Sequence, residues 1–238
     1  MWPEYSESPQ VRLSFAEPLN RTMIALLISL TAVFLLQVLM PSFNGFAAEY
    51  LAINTGTFLH KLYLWQVVTS IFLHVGIQHF LTNMIFLWFM GSALSNAWRA
   101  REFLAFFFMC GTAGSLCFYV FNVVTGADAV GMGASGAIFG LMTAYAMVFG
   151  EREVLAFFLI PMKAKYFVAV CLAIEVIMLL TGSPDGIAHT AHIGGAAYGF
   201  AYLKIAWRRQ SKLAGAATGK AKTASRISGL EVMDGKDK

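Results

Sequence analysis

Four side chains in this sequence have the types needed for acyl transfer: Ser135, His192, His79 and Asn83. A serine hydroxyl is a poor nucleophile until a base takes its proton. Histidine suits that task, because an unperturbed pKa of about 6.5 leaves the ring neutral at pH 7. The tetrahedral intermediate then needs donors already aimed at its oxyanion. Asn83 offers an amide NH2, His79 a ring N–H, and Ser135 its own backbone N–H. His79 and Asn83 are four residues apart, so they share a helix face one turn apart. Ser135 follows Gly131-Met132-Gly133-Ala134, where the two glycines let a loop bend and approach a substrate closely. The helix that starts there leaves its first N–H groups free. His192 stands in Ala188-His189-Thr190-Ala191-His192-Ile193-Gly194-Gly195. No carboxylate is expected at its level, since Asp185 falls in the preceding loop. The pattern therefore reads as a Ser–His dyad rather than a triad.

The elements that must position these groups are membrane helices. The chain has 238 residues, 58% hydrophobic and only 13% charged. Soluble domains carry roughly 25% charged residues, so a water-soluble globule is excluded. The fold class expected is an all-α membrane protein with six spans of about 20 apolar residues each. The spans lie near 22–40, 78–98, 103–124, 135–149, 166–181 and 187–207. An apolar shoulder at 154–160, ended by Pro161, precedes the fifth. Of the 17 Lys and Arg residues, all but Lys61 then fall on one side. That bias puts both termini in the cytoplasm and accounts for the net charge of +4 without a nucleic-acid partner.

In this topology spans two, four and six all run inward from the outer face. Each carries a polar cluster near its start, so His79, Asn83, Ser135 and His192 lie at one depth. Gly136 and Gly140 form a G-x-x-x-G pair, and Gly195 and Gly199 form another. If these faces meet, as small residues allow, Ser135 and His192 come within hydrogen-bonding reach.

Three further segments complete the division of the chain. Residues 1–20 are a cytoplasmic segment with Glu4, Glu7, Glu17 and three prolines, unlike a secretory signal peptide. Residues 21–207 form the six-helix domain. Residues 208–238 read as a basic, disordered tail, with a weak docking segment at 230–233 as the minor alternative. Residues 41–75 form a long first outer loop, whose part 58–72 suits a helix lying in the membrane interface. The three cysteines all sit in apolar runs, which argues against a disulfide framework.

These motifs together resemble the rhomboid intramembrane serine proteases. The match rests on Gly133-Ala134-Ser135-Gly136, on His74, His79 and Asn83 of the second span, and on Ala191-His192-Ile193-Gly194-Gly195 of the sixth. It covers about residues 20–207, with the motifs in the expected order. The resemblance implies a six-helix rhomboid-like bundle with Ser135 as nucleophile and His192 as base. His79 and Asn83 would line the oxyanion site, with His74, Gly133, Gly136, Phe139 and Gly195 in support. It implies that transmembrane helices of other proteins are the substrates, cut near their outer ends without cofactor or metal. Entry between the second and fifth spans and a bacterial inner membrane are also expected. Three positions depart from the family pattern: Gln66 after Trp65 where an arginine is common, Ser95 where an acid is common, and Phe139 where a tyrosine often packs on the histidine.

Each residue alone has a plainer reading. Ser135 would be a packing residue, His192 an interhelical hydrogen bond, and Asn83 interhelical glue. Their common depth and order favour catalysis. A catalytically silent rhomboid-like protein that binds transmembrane clients is the alternative. A small transporter predicts internal repeats and mid-membrane charges, and only Glu175 stands deep in a span. With no second buried acid or lysine to form a relay, Glu175 reads as a hydrogen-bonded carboxyl of the bundle.

Overall fold

The computed structural model describes residues 17–156, 159–182 and 188–206. Residues 1–16 of the N-terminal segment, Asp185 and the tail, including 230–233, lie outside them.

The chain begins with α1 (Arg21–Leu39), whose N-cap Asn20 accepts from Met23 N. It continues as α2 (Pro41–Phe46), a π-turn (Ala47–Leu51) and β1 (Ile53–Asn54). Next come α3 (Gln66–Thr69), a 3-10 turn (Ser70–Phe72) and α4 (Ile77–Phe86), which runs through a π-turn (Leu87–Gly91) into α5 (Ser92–Ala97). The remainder is α6 (Ala100–Thr125), β2 (Val130–Gly131), α7 (Ser135–Val148), β3 (Glu153–Ala156), β4 (Ile160–Lys163) and α8 (Ala164–Thr181). A last helix, α9, covers 189–206. The chain divides into a compact unit of residues 1–200 and a second unit from 201 onward, whose described residues are helical.

The fold is thus mostly helical. Helices α1, α6 and α8 are long and apolar enough to cross a membrane. The Gln66–Phe72 and Ile77–Ala97 helices pass the same test together but bend by 94° between them, and α7 is a shorter apolar helix. α6 is the central element, with Phe103, Phe106, Phe107 and Cys110 fully enclosed. α8 is peripheral. Only Ala164, Phe167 and Val168 are buried along it, while Val170, Ile174, Val176 and Ile177 are exposed.

Two expectations are corrected. Residues 58–65 do not form an interfacial helix; they are mostly turns, and helix resumes at Gln66. Polar side chains there compete for the backbone: Asn54 Oδ1 accepts from Gly56 N at 2.8 Å, and Leu62 adopts φ 58°. Leu59, Leu62, Leu64 and Trp65 remain exposed on the loop. The described residues of the shoulder at 154–160 are not helical either. β3 and β4 pair antiparallel, with Leu155 opposite Pro161. Proline lacks the N–H of a helix interior but is tolerated in an edge strand.

The first outer loop is fastened to the approach to α7. β1 pairs with β2 antiparallel, Ile53 opposite Gly131. Thr55 Oγ1 donates to Asp128 Oδ1 at 2.9 Å and accepts from Ala129 N at 3.0 Å.

Candidate active site

Ser135 is the first residue of α7. Its Oγ lies 2.8 Å from His192 Nε2. His192 is buried in the first turns of α9. Phe139, one turn after Ser135, stacks on the imidazole with centroids 4.5 Å apart and planes 12° apart. The ring therefore retains an aromatic face although the phenolic hydroxyl is missing.

Close helix approach makes this distance possible. A Cβ on Gly195 would lie 2.6 Å from the Gly136 carbonyl carbon, and one on Gly199 would lie 3.2 Å from Gly140 Cα. The two G-x-x-x-G faces do meet. A third helix joins the seam, which the spacing did not suggest. A Cβ on Gly114 of α6 would sit 2.6 Å from Ala191 O and 3.2 Å from Gly136 Cα. The available signal was the small-residue run Cys110-Gly111 and Gly114-Ser115.

The loop entering α7 brings His79 to the serine. Gly133 has φ 138°, a conformation that disfavours any side chain. Its N–H donates to Ser70 O at 2.9 Å. A Cβ there would meet His79 Nε2 at 2.9 Å and Ser135 Oγ at 3.6 Å. Glycine thus lets the His79 ring and the Ser135 hydroxyl converge on one point. Asn83 lies one turn further along α4, which packs on α7. It is buried, and its Nδ2 has no hydrogen-bond partner among the described residues. A buried unpaired donor is costly, and Asn83 Nδ2 is free to donate to an acceptor brought to this point.

His74 precedes α4 rather than opening it. Gln37 of α1 clamps its backbone, accepting from His74 N at 2.9 Å and donating to His74 O at 3.1 Å. Its ring packs edge-on against Phe34, Phe80 and His79. His74 thus packs directly against the His79 ring.

The expectation that no carboxylate reaches His192 is overturned. Glu175 Oε2 lies 2.8 Å from His192 Nδ1 and 2.6 Å from His189 Nδ1. Depth estimated from sequence placed Glu175 mid-span and His192 near the surface. Six residues, or about 9 Å at 1.5 Å rise, separate Glu175 from the end of α8 at Thr181. Gly182, at φ 67°, ends the helix there. His192 lies three residues inside α9, and its side chain together with a long glutamate covers the remaining depth. The missed signal was the pair His189 and His192, three apart on one face. The ligating atoms of Glu175, His189 and His192 all lie within 4.8 Å of one another, as in a three-residue cation site. Both N···O pairs are nonetheless at hydrogen-bond length, shorter than the ~3.3 Å between two ligands of a tetrahedral zinc.

Two departures from the rhomboid pattern are accommodated locally. Gln66 is fully buried; its Nε2 donates to Glu49 O at 2.9 Å and to Thr57 Oγ1 at 3.0 Å. Trp65 Nε1 donates to Tyr50 O at 2.7 Å. Ser95 accepts from Asn20 Nδ2 through its carbonyl at 2.9 Å and its hydroxyl at 3.1 Å, tying the end of α5 to the start of α1.

A family model of the Rhomboid domain matches residues 61–209. The presenilin-associated rhomboid-like protein A, mitochondrial, of Danio rerio is 27% identical over 194 residues, 79% of this chain and 49% of that protein. RHOMBOID-like protein 1 of Arabidopsis thaliana is 30% identical over 149 residues, 63% of this chain and 36% of that protein. Rhomboid protease GluP of Bacillus subtilis (strain 168) is 38% identical over 80 residues, 34% of this chain and 15% of that protein. The chain thus spans about half the length, or less, of these relatives. Mitochondrial and bacterial proteins both match, so the similarity singles out neither membrane. With its apolar spans and a domain match over more than half its length, this chain is an integral membrane protein of the rhomboid family.

Proposed function

We propose that the protein is an intramembrane serine endopeptidase that cleaves transmembrane segments of other proteins. The observation that carries this reading is the 2.8 Å contact between Ser135 Oγ and His192 Nε2. In the acylation step the Oγ–C bond forms and the carbonyl electron pair moves to oxygen. The hydroxyl proton passes to His192 Nε2. Donors for the oxyanion are the Ser135 backbone N–H, Asn83 Nδ2 and the His79 ring. On collapse the C–N bond breaks, and His192 returns the proton to the departing amine. Water then hydrolyses the ester by the same route in reverse.

The exposed apolar face of α8 and the exposed loop residues Leu59, Leu62 and Trp65 suit contact with lipid. Substrate entry between α4 and α8 fits the stacked pair Phe86 and Phe167, centroids 6.2 Å apart, which would have to part. The basic-residue bias supports cytoplasmic termini. The alternative, a silent client-binding protein, requires an unreactive serine. A fluorophosphonate probe separates the two. The expected result is a single adduct on Ser135 by peptide mass spectrometry, lost in His192→Ala. Absence of an adduct from folded, detergent-solubilised wild-type protein would favour the silent reading.

A further inference from the structure

Building on the Ser135–His192 reading, we propose that Glu175 is a positioning residue that converts the dyad into a Ser–His–Glu relay. Glu175 is the acidic residue of α8, flanked by apolar residues on both sides, and its side chain is only 12% exposed. Burying a carboxylate in apolar surroundings is costly unless it is paired and hydrogen-bonded. Here one oxygen, Oε2, meets two imidazole nitrogens at 2.6 and 2.8 Å.

An ionised carboxylate only accepts hydrogen bonds, so both Nδ1 atoms must donate. For His192 this fixes the Nδ1–H tautomer and leaves the Nε2 lone pair facing the Ser135 hydroxyl. A base in this reaction needs that tautomer. When His192 takes the serine proton, the imidazolium charge faces a carboxylate already in place. Nδ1 keeps its proton throughout, and Glu175 keeps its charge. His189 holds the carboxylate from the other side, so the acid is oriented before substrate arrives. The groups around His192 include Ser135 and Phe139 of α7, His79 of α4, Glu175 of α8 and His189 of α9. Glu175 is the carboxylate among them.

The test combines tautomer and turnover. Histidine-15N NMR of wild-type protein in micelles, assigned with His192→Gln, should show His192 as the Nδ1–H tautomer. Glu175→Gln should lower kcat on a transmembrane reporter by up to about 10⁴-fold, the loss seen when a triad acid becomes an amide and the wrong tautomer results. KM should stay within about threefold. Glu175→Asp should recover part of the loss seen in Glu175→Ala. An Nε2–H tautomer in the wild type overturns the proposal even if no Glu175 variant folds. So does a wild-type kcat in folded Glu175→Gln while Ser135→Ala is silent. If Ser135→Ala itself cleaves at the wild-type rate, the underlying Ser135–His192 reading fails, and the relay with it.

Discussion

Gly195→Ala tests whether the small-residue seam sets the catalytic distance. The added Cβ would lie 2.6 Å from the Gly136 carbonyl carbon and 3.1 Å from Gly136 Cα. Carbon–carbon contacts settle near 3.5–4.0 Å, so the first is about 1 Å too short. The obstructing atoms are backbone, and no side chain can swing away. α7 and α9 must therefore separate by about 1 Å at this point. Ser135 adjoins Gly136, and His192 is nearly one turn from Gly195, so the separation falls directly on their 2.8 Å contact. A misplacement of that size costs about 10²-fold in rate, and overpacking costs about 1–3 kcal/mol in stability. Two graded controls accompany it. Gly199→Ala meets Gly140 O at 3.0 Å and Gly140 Cα at 3.2 Å, while Gly76 has nothing within 4 Å. Reporter cleavage and thermal midpoints in detergent should rank Gly76→Ala as unchanged, Gly199→Ala as mild and Gly195→Ala as severe. A Gly195→Ala protein with wild-type rate and midpoint would refute the claim that this seam positions the dyad.

Three further outcomes follow from local chemistry. Asn83→Ala should lower kcat by about 10²–10³-fold with KM little changed, because an oxyanion donor acts in the transition state; steady-state kinetics on the reporter would show it. Gln66→Ala should cost about 1–3 kcal/mol by leaving buried partners unpaired, read as a thermal midpoint lowered by several degrees. At the β3–β4 hairpin, Lys163 and Lys165 hydrogen-bond Glu151 and hold its carboxyl at about 2. That depressed pKa stabilises the hairpin above the ordinary carboxyl value of 4.5 and ceases to as pH falls toward 2. The protection of β3 and β4 amides, taken relative to the intrinsic exchange rate at each pH, should accordingly fall over that window, with a smaller change in high salt because the groups are exposed.

The sequence was most legible where one physical constraint acts alone. Long apolar runs located α1, α6 and α8 to within a few residues of the expected spans. The stacking of Phe139 on His192 was implied by the family resemblance, whereas the meeting of Gly136 with Gly195 followed from small-residue spacing. What escaped depended on relative height. Glu175 stood out in the sequence as the acid deep in a span, but only the packing of α9 against α8 brings His189 and His192 level with it. Gly114 was invisible for a similar reason, since its partners, Ala191 and Gly136, come from two other helices. The first outer loop misled because its amphipathic pattern fits a helix, while Asn54, Thr55 and Gln66 supply side-chain hydrogen bonds that hold turns instead.

Ser135 is the proposed nucleophile of a peptide-bond cleavage within the membrane. The most direct measurement reconstitutes the full chain in liposomes with a reporter transmembrane helix and identifies products by mass spectrometry. Wild-type protein should yield two fragments from one bond near one end of the helix. Ser135→Ala, equally folded and inserted, should yield none. Identical fragments from Ser135→Ala, or an intact reporter with the folded wild type across a panel of helices, would rule out Ser135-dependent cleavage.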